Sequence, residues 1–175
     1  MPSKWGNSAD TINVSLAKLA QRTGSNVNSS PLYRTPAFPA GVGPDYVNAA
    51  AILDCALNPQ QMLDLCNIVE VDAGRVRTKR WDSRTLDVDL IACESHILPD
   101  EQTFLHWHDL PLSAQKVETP KDLILPHPRL QDRAFVLVPL HDIAPDWCHP
   151  VLGRTTRQLM MDLSEADRAA IKRLG

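Results

Sequence analysis

Apolar positions recur at helical spacing early in the chain. Ile12, Leu16 and Leu19 mark a helix over residues 10–22, with Ser8 or Asp10 as its cap and Gly24 as its end. Residues 28–33 read as a short strand and residues 46–57 as a largely buried one. Asn58-Pro59-Gln60-Gln61 is a strong helix start, because Asn caps, Pro suits the first helical position and Gln follows at the third. That helix runs to about Asp72 with Met62, Leu65, Cys66 and Val69 on one face, and Gly74 ends it. Residues 84–92 and 135–140 read as two further strands. Residues 93–125, interrupted by Pro99, Pro111 and Pro120, read as irregular. A last helix follows Ser164, with Asp167 completing a capping box. Pro36, Pro39, Gly41, Gly43 and Pro44 crowd residues 35–45 and predict a long loop of the kind that carries function.

The order is helix, strand, strand, helix, strand, strand and tail. With one strand ahead of the first helix it would be β-α-β-β-α-β, an α+β, ferredoxin-like core with extra C-terminal elements. Residues 1–7 contain Pro2 and Gly6 and do not read as that strand, so the first core strand is expected to be missing from this chain.

The 175 residues suit a single domain over 1–175, and 43% hydrophobic with 22% charged residues is an ordinary globular mix. A net charge of −3 does not fit a general nucleic-acid binder, so any bound anion must meet a local basic cluster. Cys55, Cys66, Cys93 and Cys148 form no C-x-x-C pair and no signal peptide precedes them. They are expected to be reduced thiols of a cytoplasmic protein. No apolar run approaches the roughly 20 residues of a membrane span.

The most informative segment is Arg84-Thr85-Leu86-Asp87-Val88-Asp89-Leu90. In a strand, Leu86, Val88 and Leu90 share the core face, and Asp87 and Asp89 share the other. Their Cα atoms would then lie roughly 6–7 Å apart. Carboxylates that close repel unless cations join them, and magnesium favours one or two carboxylates plus phosphate oxygens and water. The alternative is a solvated strand face. Arg75, Arg77, Lys79, Arg80 and Arg84 lead directly into the pair, a setting that suits a polyphosphate, although such a run is more often plain surface. Trp81, within the cluster, is either a stacking surface or a loop anchor. There is no G-x-x-x-x-G-K-[ST] and no protein-kinase signature, so phosphate chemistry here needs another cradle. Pro126-His127-Pro128-Arg129 and Arg133-Ala134-Phe135 form a second group, while His106-Trp107-His108 reads as a surface loop rather than a metal pair.

Taken in order, these segments resemble the 6-hydroxymethyl-7,8-dihydropterin pyrophosphokinases. The matching stretches are Gly74-Arg75-Val76-Arg77, Arg80-Trp81, residues 84–89, Pro126-His127-Pro128-Arg129, residues 133–140 and Ile143-Ala144-Pro145. Upstream, Tyr33-Arg34-Thr35-Pro36 and residues 45–50 match too, so the resemblance covers about residues 8–160. It implies transfer of the β,γ-diphosphate of ATP to the pterin's hydroxymethyl oxygen, with AMP released, in folate biosynthesis. It implies two Mg2+ ions on Asp87 and Asp89, and Arg75 and Arg84 as catalytic, phosphate-contacting arginines. Arg77, Trp81, His127 and Arg133 become ATP contacts, with Asn67 and Glu70 near the nucleotide. Thr35, Pro36, Phe38, Tyr46, Asn48 and Phe135 form the pterin pocket, with Tyr46 and Phe135 suited to the faces of a flat heterocycle. The segments 35–45 and 75–84 become lids.

Three departures stand out: residues 91–125 are longer than in compact members, the spacer between Arg77 and Arg80 is shorter than in some, and the family's first strand is absent. The competing readings are a degenerate ATP- or pterin-binding module, which the missing strand favours and the intact Asp87, Asp89, Arg75 and Arg84 oppose, and an RNA-binding domain. The latter would need paired aromatics on a basic sheet face, which the sequence does not show.

Overall fold

The computed structural model describes residues 3–36, 45–75, 85–111, 114 and 117–175. Helix α1 (Ser8–Thr23) starts at Asn7 rather than at Ser8 or Asp10. Asn7 Oδ1 accepts the Asp10 N–H at 3.0 Å while Asp10 Oδ2 accepts the Asn7 N–H at 3.2 Å, so Asp10 is the third-position half of the cap. The helix ends where Gly24 turns to φ 67°, a left-handed conformation that costs glycine nothing. Its most buried stripe is Thr11, Ser15 and Leu19, with Ile12 and Leu16 only half-buried. The two hydroxyls tolerate this because each donates back into the helix, Thr11 to the Asn7 carbonyl and Ser15 to that of Ile12.

The strands are shorter than the apolar runs suggested. β1 (Val27–Ser29) pairs antiparallel with β4 (Ala51–Leu53), and β2 (Tyr33–Thr35) with β3 (Tyr46–Asn48). These are two halves of one ribbon with a one-residue slip between them. Ser30, Pro31 and Leu32 stand opposite Ala49 and Ala50, because Val27 faces Leu53 but Tyr33 faces Asn48. Pro31 has no N–H for a ladder, and an unmatched residue there is what a bulge accommodates. Ser30 bridges the gap, its N–H reaching the Ala50 carbonyl at 2.9 Å and its Oγ accepting the Ala50 N–H at 3.0 Å. β5 (Lys172–Arg173), at the C-terminal end, adds to the other edge of β2.

Helix α2 (Pro59–Asp72) has the predicted start, with Asn58 and Gln61 capping each other and Pro59 in the first turn. Two expectations fail downstream. Residues 93–125 are not wholly irregular: α3 (Glu101–Asp109) forms there, and Asp100 caps it by accepting the Thr103 N–H at 2.8 Å. Residues 135–140 are no strand but part of α4 (Ala134–Ile143). A short apolar run does not distinguish the two by its period. Pro139 also sits inside α4, where it lacks the N–H that would reach the Phe135 carbonyl. α5 (Thr156–Asp162) and α6 (Glu165–Ala170) close the chain. Ser164 caps α6 by accepting the Asp167 N–H at 3.0 Å.

Two apolar clusters hold the fold. Leu19, Leu65, Val69, Ala73 and Leu86 form one, joined by Leu53, Met62 and Val88. Leu130, Leu137 and Leu159 form the other, joined by Ile91 and Trp147. The architecture is therefore a mixed α+β fold with small antiparallel sheets. Among the described residues no helix is long and apolar enough to cross a membrane. All four cysteines are free thiols.

Candidate functional site

The segment bearing the two aspartates keeps the predicted alternation but not the predicted ladder. Leu86 is buried, Val88 and Leu90 are half-buried, and Asp87 and Asp89 are exposed. Residues 86–90 are nevertheless assigned to no strand, and none of the described strands pairs with them. One anchoring bond comes from α2, where Glu70 Oε1 accepts the Val88 N–H at 2.8 Å. Leu86 belongs to the first core and Ile91 to the second, so the carboxylates are strung between two fixed points.

Each carboxylate has an arginine beside it. Arg75 lies 3.1 Å from Asp87 and also pairs with Glu70. Arg133 lies 3.7 Å from Asp89, and its guanidinium sits 5.7 Å from the centre of the Phe135 ring. Glu70 is 3% exposed, and burial pushes its carboxyl above the ordinary range against the opposing pull of the Val88 N–H and Arg75. Asp87 and Asp89 remain open to solvent, with side chains 43% and 42% exposed. Two solvent-facing carboxylates are hard oxygen donors of the kind Mg2+ takes together with phosphate oxygens, so the residues present fit that ion. Among the described residues no three His, Cys, Asp or Glu side chains gather into a closed metal cage.

His127 follows directly. Its N–H donates to the Ile91 carbonyl at 2.7 Å, and its Nδ1 accepts the Arg129 N–H at 3.1 Å. That bond assigns the proton of the neutral ring to Nε2. Burial, helped by Arg133, holds its pKa below the ordinary histidine value, so the ring is neutral near pH 7.

Asp89 and His127 both open into a cleft of about 610 Å³. Its lining includes Leu63, Leu90, Trp107 and Ile124, with Lys121 and Asp122 among the polar groups. That volume suits a small organic ligand. The sequence reading did not select Trp107, because α3 itself went unrecognised. The signal was there in Asp100 ahead of Thr103 and in Phe104 and His108 four apart.

The residues expected to hold the pterin divide. Asn48 donates from Nδ2 to Thr35 Oγ1 at 2.7 Å, linking β3 to β2. Tyr46 and Phe135 are exposed aromatics, 49% and 37% open. α4 packs on β2, β3 and β4, and the Tyr33 hydroxyl donates to Asp142 Oδ2 at 2.6 Å, tying α4 to β2. Burial and that carboxylate push the Tyr33 pKa up to about 12. Pro36 directly follows β2. Asn67 folds back on α2, donating to the Leu63 carbonyl at 3.0 Å. Phe38, Arg77, Lys79, Arg80, Trp81 and Arg84 lie outside the described residues, as do most of the two expected lids.

Comparison with known proteins places the chain in a family. The sequence model of the 7,8-dihydro-6-hydroxymethylpterin-pyrophosphokinase family matches residues 1–145. A 2-amino-4-hydroxy-6-hydroxymethyldihydropteridine pyrophosphokinase of Synechocystis is 36% identical over 152 residues, 86% of this chain and 67% of that protein. The protein of the same name from Methylorubrum extorquens is 33% identical over 173 residues, 98% of this chain and 94% of its own length. A third, from Haemophilus influenzae, is 30% identical over 149 residues, 85% of this chain and 81% of its own. With a matched span that takes in the aspartate pair, its arginines and the His127 turn, the chain belongs to the 7,8-dihydro-6-hydroxymethylpterin-pyrophosphokinase family.

Proposed function

We propose that this protein transfers a diphosphate group from ATP to 6-hydroxymethyl-7,8-dihydropterin, giving AMP and the pterin diphosphate, in folate biosynthesis. Family membership supports the reaction. The observation that carries it to these residues is the arrangement around Asp89. Arg133 reaches both that carboxylate and the ring of Phe135, so the Asp89 side of the cleft adjoins an exposed aromatic face.

In this reading Asp87 and Asp89 would hold two Mg2+ ions with the nucleotide, which would supply positive charge against the polyphosphate. Arg75 and Arg84 contact the phosphates, and Arg133 and Arg77 contact the nucleotide along with Trp81. Neutral His127 offers its Nε2–H as a donor. Tyr46 and Phe135 take the faces of the pterin, and Thr35, Pro36, Phe38 and Asn48 complete its pocket. The hydroxymethyl oxygen attacks the β-phosphorus, the bond from that phosphorus to the α-phosphate oxygen breaks, and AMP leaves while the hydroxyl proton passes to solvent. No protein nucleophile is required, and the side chains act by position and charge. Glu70 acts one step back in this scheme. It holds the Val88 backbone and Arg75 beside the nucleotide, and Asn67 lies near it on the same helix.

The fold reading extends in the same way. The alternating burial of residues 86–90 supports a ferredoxin-like core, in which a further strand would lie beside them. Four free cysteines accord with a reducing compartment, the cytoplasm.

Phosphorus NMR of a reaction with ATP, magnesium and the reduced pterin tests the assignment. AMP and a pterin diphosphate are expected, whereas ADP with a monophosphorylated pterin would overturn it.

A further inference from the structure

We propose that Trp107 is the base-stacking residue of the nucleotide cleft, so that α3 sets the affinity for the donor's base. The inference rests on the reading of the protein as an ATP-using pyrophosphokinase. Asp89 and His127 line one side of the cleft, and Arg133 pairs with Asp89 behind it. The phosphates therefore belong there, with the carboxylate as a cation ligand, the guanidinium acting by charge and the neutral imidazole as an Nε2–H donor. The rest of the lining must then receive the purine. It offers the apolar Leu63, Leu90 and Ile124 beside the polar Glu118, Lys121 and Asp122, and Trp107 is the one Phe, Tyr or Trp among the described residues that line the cleft. A half-buried indole among aliphatic side chains is what a flat heterocycle stacks on.

Trp107 is also held in place before any ligand arrives. Phe104, one turn earlier on α3, is fully buried, with the ring of His149 at 5.2 Å and that of His108 at 5.8 Å. At the C-terminal end of the helix, the Arg129 guanidinium donates to the carbonyls of His108 (3.2 Å) and Leu110 (2.7 Å). The His106 ring meets the indole edge-to-face at 5.7 Å. Arg129 lies two residues beyond His127 and gives that ring its N–H, so one short turn fixes both the phosphate-end histidine and the wall bearing Trp107. A surface fixed in advance gives up little freedom when it binds.

Steady-state kinetics on the full chain test this. Trp107→Ala should raise KM for ATP about 5- to 100-fold, with the effect falling on KM rather than kcat, and Trp107→Phe should restore most of the affinity. Inhibition by inorganic tripolyphosphate, which has no base, should be equal in wild type and Trp107→Ala. An unchanged KM for ATP overturns the proposal, as does an equal weakening of ATP and tripolyphosphate. Failure of the underlying reading shows itself elsewhere, as no AMP formed by the wild type. A second measurement needs neither turnover nor the alanine variant. The difference in tryptophan emission between wild type and Trp107→Phe, which isolates the Trp107 signal with Trp81 left in place, should change on addition of ATP and stay constant with tripolyphosphate. ATP binding that saturates by calorimetry without altering that emission would equally overturn the inference.

Discussion

Glu70 shows how a residue's role depends on partners far along the chain. It is a buried carboxylate on α2, and it accepts the N–H of Val88, eighteen positions later, while pairing with Arg75. Nothing local in the sequence links residue 70 to residue 88, and so its structural work was not legible. Asp87 and Asp89 were legible, because the alternation that exposes them is written in four consecutive residues. His149 too has a distant neighbour, the Phe104 ring at 5.2 Å. It is wholly buried, its Nδ1 accepts the N–H groups of Val151 and Leu152 at 3.2 Å, and its Nε2–H has no hydrogen-bond partner among the described residues. Burial lowers its pKa from 6.5 to about 4. The unfolded chain therefore binds a proton at this site more readily than the folded one as pH falls below 6.5. Stability is complete above that value, is lost progressively down to about pH 4, and then levels off. The loss is on the order of 3 kcal/mol. Urea denaturation at a series of pH values should show this extra slope in the wild type and not in His149→Leu, and parallel profiles would refute it.

Among the elements, caps were the clearest signals and tertiary pairings the least clear. Asn58 with Gln61 predicted the start of α2, since capping is settled by neighbours within four residues. The ribbon β1–β4 and β2–β3 was read as two longer strands, because the slip at Pro31 depends on which residues stand opposite. The pairing of β5 with β2 joins opposite ends of the chain and left no local trace. α3 depends on a partner outside itself, since Arg129 supplies donors to the last carbonyls of a nine-residue helix. Arg129→Ala should therefore cost about 1–3 kcal/mol, read by chemical denaturation. Arg129→Lys should recover only part of that, because an ammonium does not reproduce the two-pronged geometry. Full recovery with lysine would show that charge alone suffices.

At the scale of the molecule, the site sits where two cores meet. Leu86 is 8% exposed in the first and Leu137 is fully buried in the second, and residues 86–91 run from one to the other. Leu86→Ala and Leu137→Ala should each cost about 2–5 kcal/mol. Because a single covalent segment is packed into both cores, each variant should still melt in one cooperative transition by calorimetry. Two resolved transitions in either would mean that the cores unfold independently. The net charge of −3 shows the same dependence on place. It argued against a general nucleic-acid binder, and it is compatible with the proposed phosphate site because Arg75 and Arg133 are set beside the two exposed aspartates.

Leu98 and Leu125 exchange two backbone hydrogen bonds, of 2.9 and 3.1 Å. The chain between them is thereby a ring in the polymer sense, with its closure fixed at one neck. The entropy of closing such a ring grows only with the logarithm of its length, and doubling it adds about 0.6 kcal/mol. Length in this stretch is thus nearly neutral so long as the neck and the Arg129 clamp on α3 persist. Natural variation in the size of this ring, or a reporter peptide spliced into it away from Trp107, should leave the aspartate pair where it is.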